Sequence, residues 1–292
     1  MIFNPAAGKI RRNPELILQR TIDALRGVSL KPRVLTTRGP GEATALANQA
    51  IAEGADLVLV FGGDGTINEA ANGMVNSRVP LAALPGGTAN VLTMELGLGN
   101  RLERAIERLE DCVERRVALG RLTDARGASR YFLMMGGAGL DAKIVYDLNP
   151  DLKARTGKLA YWVTGFSQIA HPLEEFEVKV GGEVYRCGFA LAARVCNYGG
   201  DLAIACGASL TSDEFEIVLF EGANPLRYAW YMLGVLGRRV QSMRGVRTLR
   251  ARSVQLAGSV HLQIDGEYAG RSPACFEIGP GTLTLLMPPT YG

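Results

Sequence analysis

The stretch Asp56-Leu57-Val58-Leu59-Val60-Phe61-Gly62-Gly63-Asp64-Gly65-Thr66-Ile67-Asn68-Glu69-Ala70 decides how the chain is read. The run from Asp56 to Val60 is aliphatic and β-branched after its first residue, the pattern of a short strand buried on both faces. Thr66 followed three residues later by Glu69 predicts a helix start whose side chains satisfy its own free N–H groups. Between strand and helix lie three glycines and one aspartate. Glycine lets the backbone turn tightly and approach a ligand, and a helix N-terminus offers unpaired N–H donors and positive dipole to an anion. A phosphate suits that turn. Asp64 would be repelled by it unless a divalent cation lay between them, which points to Mg2+ carried in with a nucleotide.

Glycine-rich turns are common in α/β proteins, but here Asp64, Thr66, Asn68 and Glu69 crowd polar groups into one turn. Other phosphate loops do not fit. Asn68 stands where GxGxxG needs its third glycine, and neither Gly8-Lys9 nor Gly157-Lys158 has the upstream glycine of GxxxxGK[ST].

A chain of 292 residues can bury a large core and hold two domains. With 47% hydrophobic and 21% charged residues it reads as folded, and a net charge of +3 gives no support to a nucleic-acid partner. Apolar runs are shorter than a membrane span and no signal-peptide pattern opens the chain, so a cytoplasmic protein, peripheral at most to a membrane, is expected. Cys112, Cys187, Cys196, Cys206 and Cys275 show no CxxC spacing and read as reduced, without zinc. His171 and His261 stand alone, and GxSxG and HExxH are absent, which disfavours hydrolase triads and His-ligated metals.

Ile2-Phe3 reads as the tail of a first strand, and a few further residues are expected before it. The turn Asn4-Pro5-Ala6-Ala7-Gly8-Lys9 follows, where Lys9 is either a compact phosphate-binding charge or, with Arg11 and Arg12, part of a solvated basic turn. Asn13-Pro14 predicts a helix start with cap and first-turn proline in place, ended by Gly27. Residues 33–37 predict a second strand and 41–54 a second helix. This alternation predicts a wound α/β sheet with ligands at the carboxyl ends of strands, where Lys9, Thr36, Thr37 and Asp64 fall. Residues 81–84 predict a fourth strand, leading into a second glycine-rich turn, Pro85-Gly86-Gly87-Thr88-Ala89-Asn90.

GGDGT with Asn68 and Glu69 resembles the diacylglycerol kinase catalytic domain family, which includes bacterial lipid kinases, sphingosine kinases and ceramide kinases. NAD kinases share the GGDG core, and the phosphofructokinase turn is similar. Asn4, Gly8 and Lys9 match the family's NPxxGK, and the second turn its PxGTAN. Gly137-Ala138-Gly139-Leu140-Asp141-Ala142 resembles its GxGxDA, and Asp265-Gly266-Glu267 its DGE. These motifs stand in family order and cover nearly the whole chain.

The resemblance implies an ATP-dependent lipid kinase using Mg2+, with diacylglycerol or a related lipid as acceptor. It implies nucleotide contact at Asn4, Gly8, Lys9, Thr36, Thr37, Gly62, Gly63, Gly65, Thr66, Asn68, Glu69, Gly87 and Thr88, with Asp64 acting through Mg2+. Asp265 or Glu267 would be the general base that takes the acceptor's proton. The sequence departs from many bacterial relatives at Val91 and Ala118, where those carry aspartates that organise a metal and water network. A soluble-substrate kinase of the NAD kinase kind and a non-catalytic nucleotide- or lipid-binding protein are the alternatives.

Strand and helix alternation stops near Leu119-Gly120-Arg121. An α/β nucleotide-binding domain over 1–120, to which 285–292 return, is therefore expected, with a β-rich, sandwich-like lipid-substrate domain over 121–284 and the active cleft between them. Residues 175–180, 183–193, 214–220, 253–264 and 274–278 read as strands and 283–288 as a final strand. Asp141 is expected to be a helix N-cap. Asp265-Gly266 reads as a hairpin turn as well as a site. Thr211-Ser212-Asp213-Glu214-Phe215 aligns with a family turn that holds a structural Mg2+, which makes Asp213 a candidate ligand beside its plainer reading as a solvated turn. Asn224 to Arg252 carries seven arginines and no acidic residue. With Trp230 and its apolar neighbours it reads either as a core helix with a basic end or as a segment making transient contact with a membrane surface. Oligomeric state is open, with a homodimer as one option.

Overall fold

The computed structural model describes residues 1–147, 174–199 and 202–292. The Gly157-Lys158 pair and His171 lie outside these residues. The chain forms two compact units, Met1–Val117 with Gly281–Gly292, and Ala118–Pro280.

In the first unit β1 (Ile2–Phe3), β2 (Leu35–Thr36), β3 (Val58–Gly62) and β4 (Leu81–Pro85) are parallel, in the order β2-β1-β3-β4. Every residue of β3 and β4 is buried, as continuous apolar runs require. Leu285 pairs in parallel with Leu81 at the edge of β4, so the expected final strand does join this sheet. The helices are α1 (Pro14–Gly27), α2 (Glu42–Ala52), α3 (Asp64–Gly73), α4 (Val91–Glu95) and α5 (Leu102–Leu109). Strand order reverses direction between β1 and β3, and such switch points are where open α/β sheets bind ligands.

The second unit is β-rich. It contains the distal part of β5 (Val113–Asp124), then β6 (Ser129–Phe132), β7 (Met135–Gly139), α6 (Leu140–Asp147), β8 (Phe176–Val180), β9 (Glu183–Cys187) and β10 (Phe189–Ala193). It continues with β11 (Asn197–Tyr198), β12 (Leu202–Ala203), β13 (Phe215–Phe220), helix Pro225–Leu236, β14 (Val246–Ala251), β15 (Ser253–Leu256), β16 (His261–Ile264), β17 (Glu267–Arg271) and the first part of β18 (Ala274–Met287). A six-stranded sheet in the order β14-β13-β10-β7-β16-β17 faces the array β18-β15-β8-β9. Their inner residues, among them Phe132, Val178, Phe215, Leu262 and Phe276, form one core. Phe132 stacks on Phe215 at 5.8 Å and meets Phe276 edge-on at 5.7 Å.

Two expected strands divide. The run 183–193 breaks at Gly188, where the chain leaves β9 for β10 in the other sheet, and a Cβ there would lie 2.7 Å from the Tyr228 hydroxyl. The run 253–264 likewise separates into β15 and β16, which belong to different sheets. Conversely, the runs 274–278 and 283–288 join into β18, with Pro280 between the stretch paired to β15 and the stretch paired to β4. None of the five cysteines forms a disulfide among the described residues. Among the described residues no helix is long and apolar enough to cross a membrane.

Candidate active site

Three loops leave the carboxyl ends of the adjacent parallel strands β1, β3 and β4. The Asn4 amide donates to the Phe61 carbonyl at 3.0 Å, and Asn4 Nδ2 donates to Thr66 Oγ1 at 2.8 Å, which ties the first loop to α3. The Lys9 amide donates to the Gly86 carbonyl at 3.0 Å, tying it to the third loop. Glycine is required here for space. A Cβ at Gly8 would lie 2.6 Å from Thr88 Oγ1, one at Gly62 2.8 Å from Thr66 Cβ, and one at Gly87 2.6 Å from the Gly63 Cα. None of these glycines has positive φ, so close approach of backbones is what excludes a side chain. Gly87→Ala is expected to push the second and third loops apart and cost about 1–3 kcal/mol of stability. Nucleotide affinity should fall with it, read by thermal melts and ATP titration.

Asn90 locks the third loop in a left-handed conformation, φ 51°. Its Oδ1 accepts the Gly87 amide at 2.7 Å, and its Nδ2 donates to the Gly87 carbonyl at 3.0 Å and to Asn100 Oδ1 at 2.7 Å. The exposed Lys9 ammonium donates to the Asn100 carbonyl at 2.9 Å and to its side-chain oxygen. A network from Asn90 through Asn100 thus positions the lysine. Asn90 stood inside a quoted motif without being singled out, and Asn100 carried no sequence signal.

Helix α3 starts at Asp64 with Gly63 as cap, three residues earlier than the Thr66–Glu69 spacing suggested. The reciprocal capping box does not form. The Thr66 hydroxyl is taken by Asn4, and Glu69 Oε1 and Oε2 accept the Gly41 and Ala43 amides at 2.8 and 3.2 Å, capping α2 instead. Gly41 has no side chain to cap its own helix, so the neighbouring helix supplies one. The Gly63 cap makes no side-chain hydrogen bond, and the first-turn amides of α3 have no i−4 partner within the helix. Asn68 is buried, and its Oδ1 accepts Asn72 Nδ2 at 3.2 Å. Glu69→Ala should therefore lower stability by about 1 kcal/mol through the lost cap, with ATP affinity unchanged. Thr36 is exposed on β2, whereas Thr37 is buried with its amide on the Phe3 carbonyl at 2.9 Å.

The Asp64 carboxylate reaches the N-terminus of α4, where Oδ1 accepts the Leu92 amide at 3.4 Å. Burial pushes its carboxyl above the usual carboxylate range, opposed by the Val91 and Leu92 amides. Val91 thus contributes its backbone amide. Among the described residues no group of three or more His, Cys, Asp or Glu gathers for a metal. Asp64, the acidic residue of the first turn of α3, is an oxygen ligand of the kind a hard cation takes.

In the second unit Asp265 and Gly266, at φ 48° and 81°, form the turn between β16 and β17. Asp265 is 6% exposed, and its carboxylate accepts three amides: Leu133 at 2.7 Å, Met134 at 2.9 Å and Met135 at 2.8 Å. Glu267 Oε2 lies 3.2 Å from Arg130 Nη2 with its side chain 37% exposed. The two candidates for the base therefore differ sharply in surroundings.

Asp141 is the second residue of α6, and its carboxylate is held by the Tyr198 hydroxyl and by Gln263 Nε2 at 2.6 Å, which overturns its reading as an N-cap. Gln263 Oε1 in turn accepts the Gly266 amide at 2.8 Å, so Asp141 is linked to the Asp265-Gly266-Glu267 turn. Burial pushes the Asp141 carboxyl up, and the bonds from Tyr198 and Gln263 oppose it. A raised folded-state value contributes stability at low pH that is lost as pH rises through that value. The stability of the parent minus that of Asp141→Asn should accordingly fall with rising pH in urea melts at a series of pH values.

Asp213 is exposed in the turn before β13 and paired with Arg252. A groove of ≈ 490 Å³ in the second unit, lined by Thr123, Lys179, Gln255 and Pro273 among others, contains none of the expected site residues.

Residues 1–122 match the family model described as the diacylglycerol kinase catalytic domain, and 135–287 match the YegS C-terminal NAD kinase beta sandwich-like domain. The chain is 26% identical over 287 residues to a diacylglycerol kinase of Bacillus subtilis (strain 168), covering 94% of this chain and 91% of that protein. It is 25% identical over 289 residues to a diacylglycerol kinase of Staphylococcus haemolyticus (strain JCSC1435), covering 94% and 84%. A crystal structure of a diacylglycerol kinase from Bacillus anthracis str. Sterne superposes with a TM-score of 0.74 at 22% identity, covering 99% of this chain and 96% of that one.

Proposed function

This chain belongs to the diacylglycerol kinase catalytic domain family and is a lipid kinase, and on that premise we propose that it transfers the γ-phosphoryl group of ATP to a hydroxyl of a diacylglycerol-like lipid. The observation that carries this reading is the convergence of three glycine-spaced loops on the uncapped N-terminus of α3.

The amides of Gly65 and Thr66 receive the nucleotide phosphates, and the Lys9 ammonium, which Asn100 holds at 2.9 Å, donates to an outer phosphate oxygen. Thr88 and the Gly87 backbone line the opposite loop. The Asp64 carboxylate would hold the Mg2+ that a nucleotide carries, which would supply charge neutralisation. Glu267 takes the proton of the acceptor hydroxyl as its oxygen bonds to the γ-phosphorus and the bond to the β–γ bridging oxygen breaks, releasing ADP. Asp265 serves the turn that presents Glu267, its carboxylate being taken up by the amides of Leu133, Met134 and Met135. Asp213 is not given a metal in this reading. Such an acceptor is met at a bilayer surface.

The test is transfer of labelled γ-phosphate from ATP with Mg2+ to a panel of mixed-micelle lipids, with NAD in parallel. A labelled lipid is expected. Labelled NADP instead would move the assignment to a soluble acceptor, and ATP binding with no transfer to either would make the protein a non-catalytic binder.

A further inference from the structure

Helix Pro225–Leu236 is apolar on two opposite faces. Tyr228, Tyr231 and Val235 are buried, and the Tyr228 hydroxyl donates to the Phe220 carbonyl at 2.8 Å and accepts the Gly188 amide at 3.1 Å. The Tyr231 ring lies 4.9 Å from that of Phe220. That face anchors the helix. On the other face Leu226, Trp230, Leu233 and Leu236 are 81, 62, 56 and 51% exposed. Their spacing of four, three and three residues makes one continuous stripe. The outer face of a surface helix is ordinarily polar, and a contiguous exposed apolar stripe marks an interaction surface.

The surroundings say what kind. Arg227, Arg238, Arg239 and Arg244 are exposed on or just after the helix. Three further arginines are engaged elsewhere: Arg247 with Glu221, Arg250 with the Gly207 carbonyl and Arg252 with Asp213. Among the described residues Arg227, Arg239 and Arg244 have no carboxylate partner. Two copies of this cationic face would repel each other, whereas an anionic lipid surface complements both its charge and its apolar stripe. Tryptophan and arginine also suit the layer between headgroups and acyl chains.

We propose that this helix is the membrane-docking element: the Leu226, Trp230, Leu233 and Leu236 stripe enters the interfacial layer of an anionic bilayer, and the arginines beside it meet lipid phosphates. This rests on the reading of the acceptor as a lipid.

The experiment uses the full chain with Trp162→Phe, which leaves Trp230 as its one indole. Vesicles of phosphatidylcholine with and without phosphatidylglycerol, some carrying brominated acyl chains, are the probe. Phosphatidylglycerol should bring a blue shift and bromine quenching of Trp230, weakened by salt. In the chain that keeps Trp162, a Trp230→Ser/Leu233→Ser variant should sediment with these vesicles about tenfold less or weaker still, and Arg239→Glu/Arg244→Glu should lose binding to the anionic vesicles alone. Transfer to a short-chain diacylglycerol in free solution should be unchanged in both variants. Unaltered vesicle binding in both variants, or Trp230 emission that stays solvent-like, overturns the proposal. So does a dimer that Trp230→Ser breaks without changing vesicle binding, which would assign the stripe to a second copy. Phosphoryl transfer with Trp230 left in water sinks docking alone, while Trp230 entering vesicles in a chain that phosphorylates no lipid sinks the kinase reading and leaves docking standing.

Discussion

Asp64→Asn is expected to lower phosphoryl transfer by about 1,000-fold or more, with the chain still folded. The isosteric amide keeps an acceptor for the Leu92 amide at the start of α4 but removes the one carboxylate that the converging loops bring to the α3 terminus. Phosphoryl transfer depends on positioning and neutralising charge, so loss of that anion falls on turnover. Stability should hold or rise, because burial raises the Asp64 carboxyl and its ionisation therefore opposes folding as pH increases through that value. Transfer rates and thermal melts measured side by side check both halves, and turnover within tenfold of the parent would remove Asp64 from the mechanism.

The second large effect separates the two carboxylates of the DGE turn. Glu267→Gln should lower kcat by about 100- to 10,000-fold with stability and ATP affinity retained, the span of a lost general base. Asp265→Asn should act on the fold. Its amide offers one acceptor oxygen and an N–H2 group to the three backbone amides that the carboxylate now accepts. Orphaning these donors costs about 2–4 kcal/mol, visible as a lower unfolding midpoint of the whole chain. If Asp265→Asn instead melts like the parent and loses turnover while Glu267→Gln stays active, the base is Asp265.

The wound sheet was legible because β3 and β4 are unbroken apolar runs, each followed by a glycine-rich turn, and such runs read the same in sequence and in space. The crossing of loops was legible only as an order of motifs. What the sequence hid was partnership over distance. Glu69 reads as the partner of Thr66 three residues away, yet it caps α2 through Gly41, 28 residues away. Asp141 follows a glycine as a cap would, yet Tyr198 and Gln263, 57 and 122 residues away, hold it. Asp265 and Glu267 stand two residues apart in one motif, and the amides of Leu133, Met134 and Met135 and the Arg130 guanidinium distinguish them. Strand ends failed at Gly188 and after Leu256 because alternation continues while the chain changes sheets. The arginine-rich helix showed its composition but not that Tyr228 and Tyr231 turn inward and leave Trp230 and three leucines outside.

The most direct measurement is single-turnover transfer from prebound ATP to diacylglycerol in mixed micelles, compared among the parent chain, Asp64→Asn and Glu267→Gln. The loop convergence and the separated roles of the two turn carboxylates predict labelled phosphatidic acid from the parent, almost none from either variant, and ATP still bound by Glu267→Gln. Product forming at the parental rate in both variants would contradict the account.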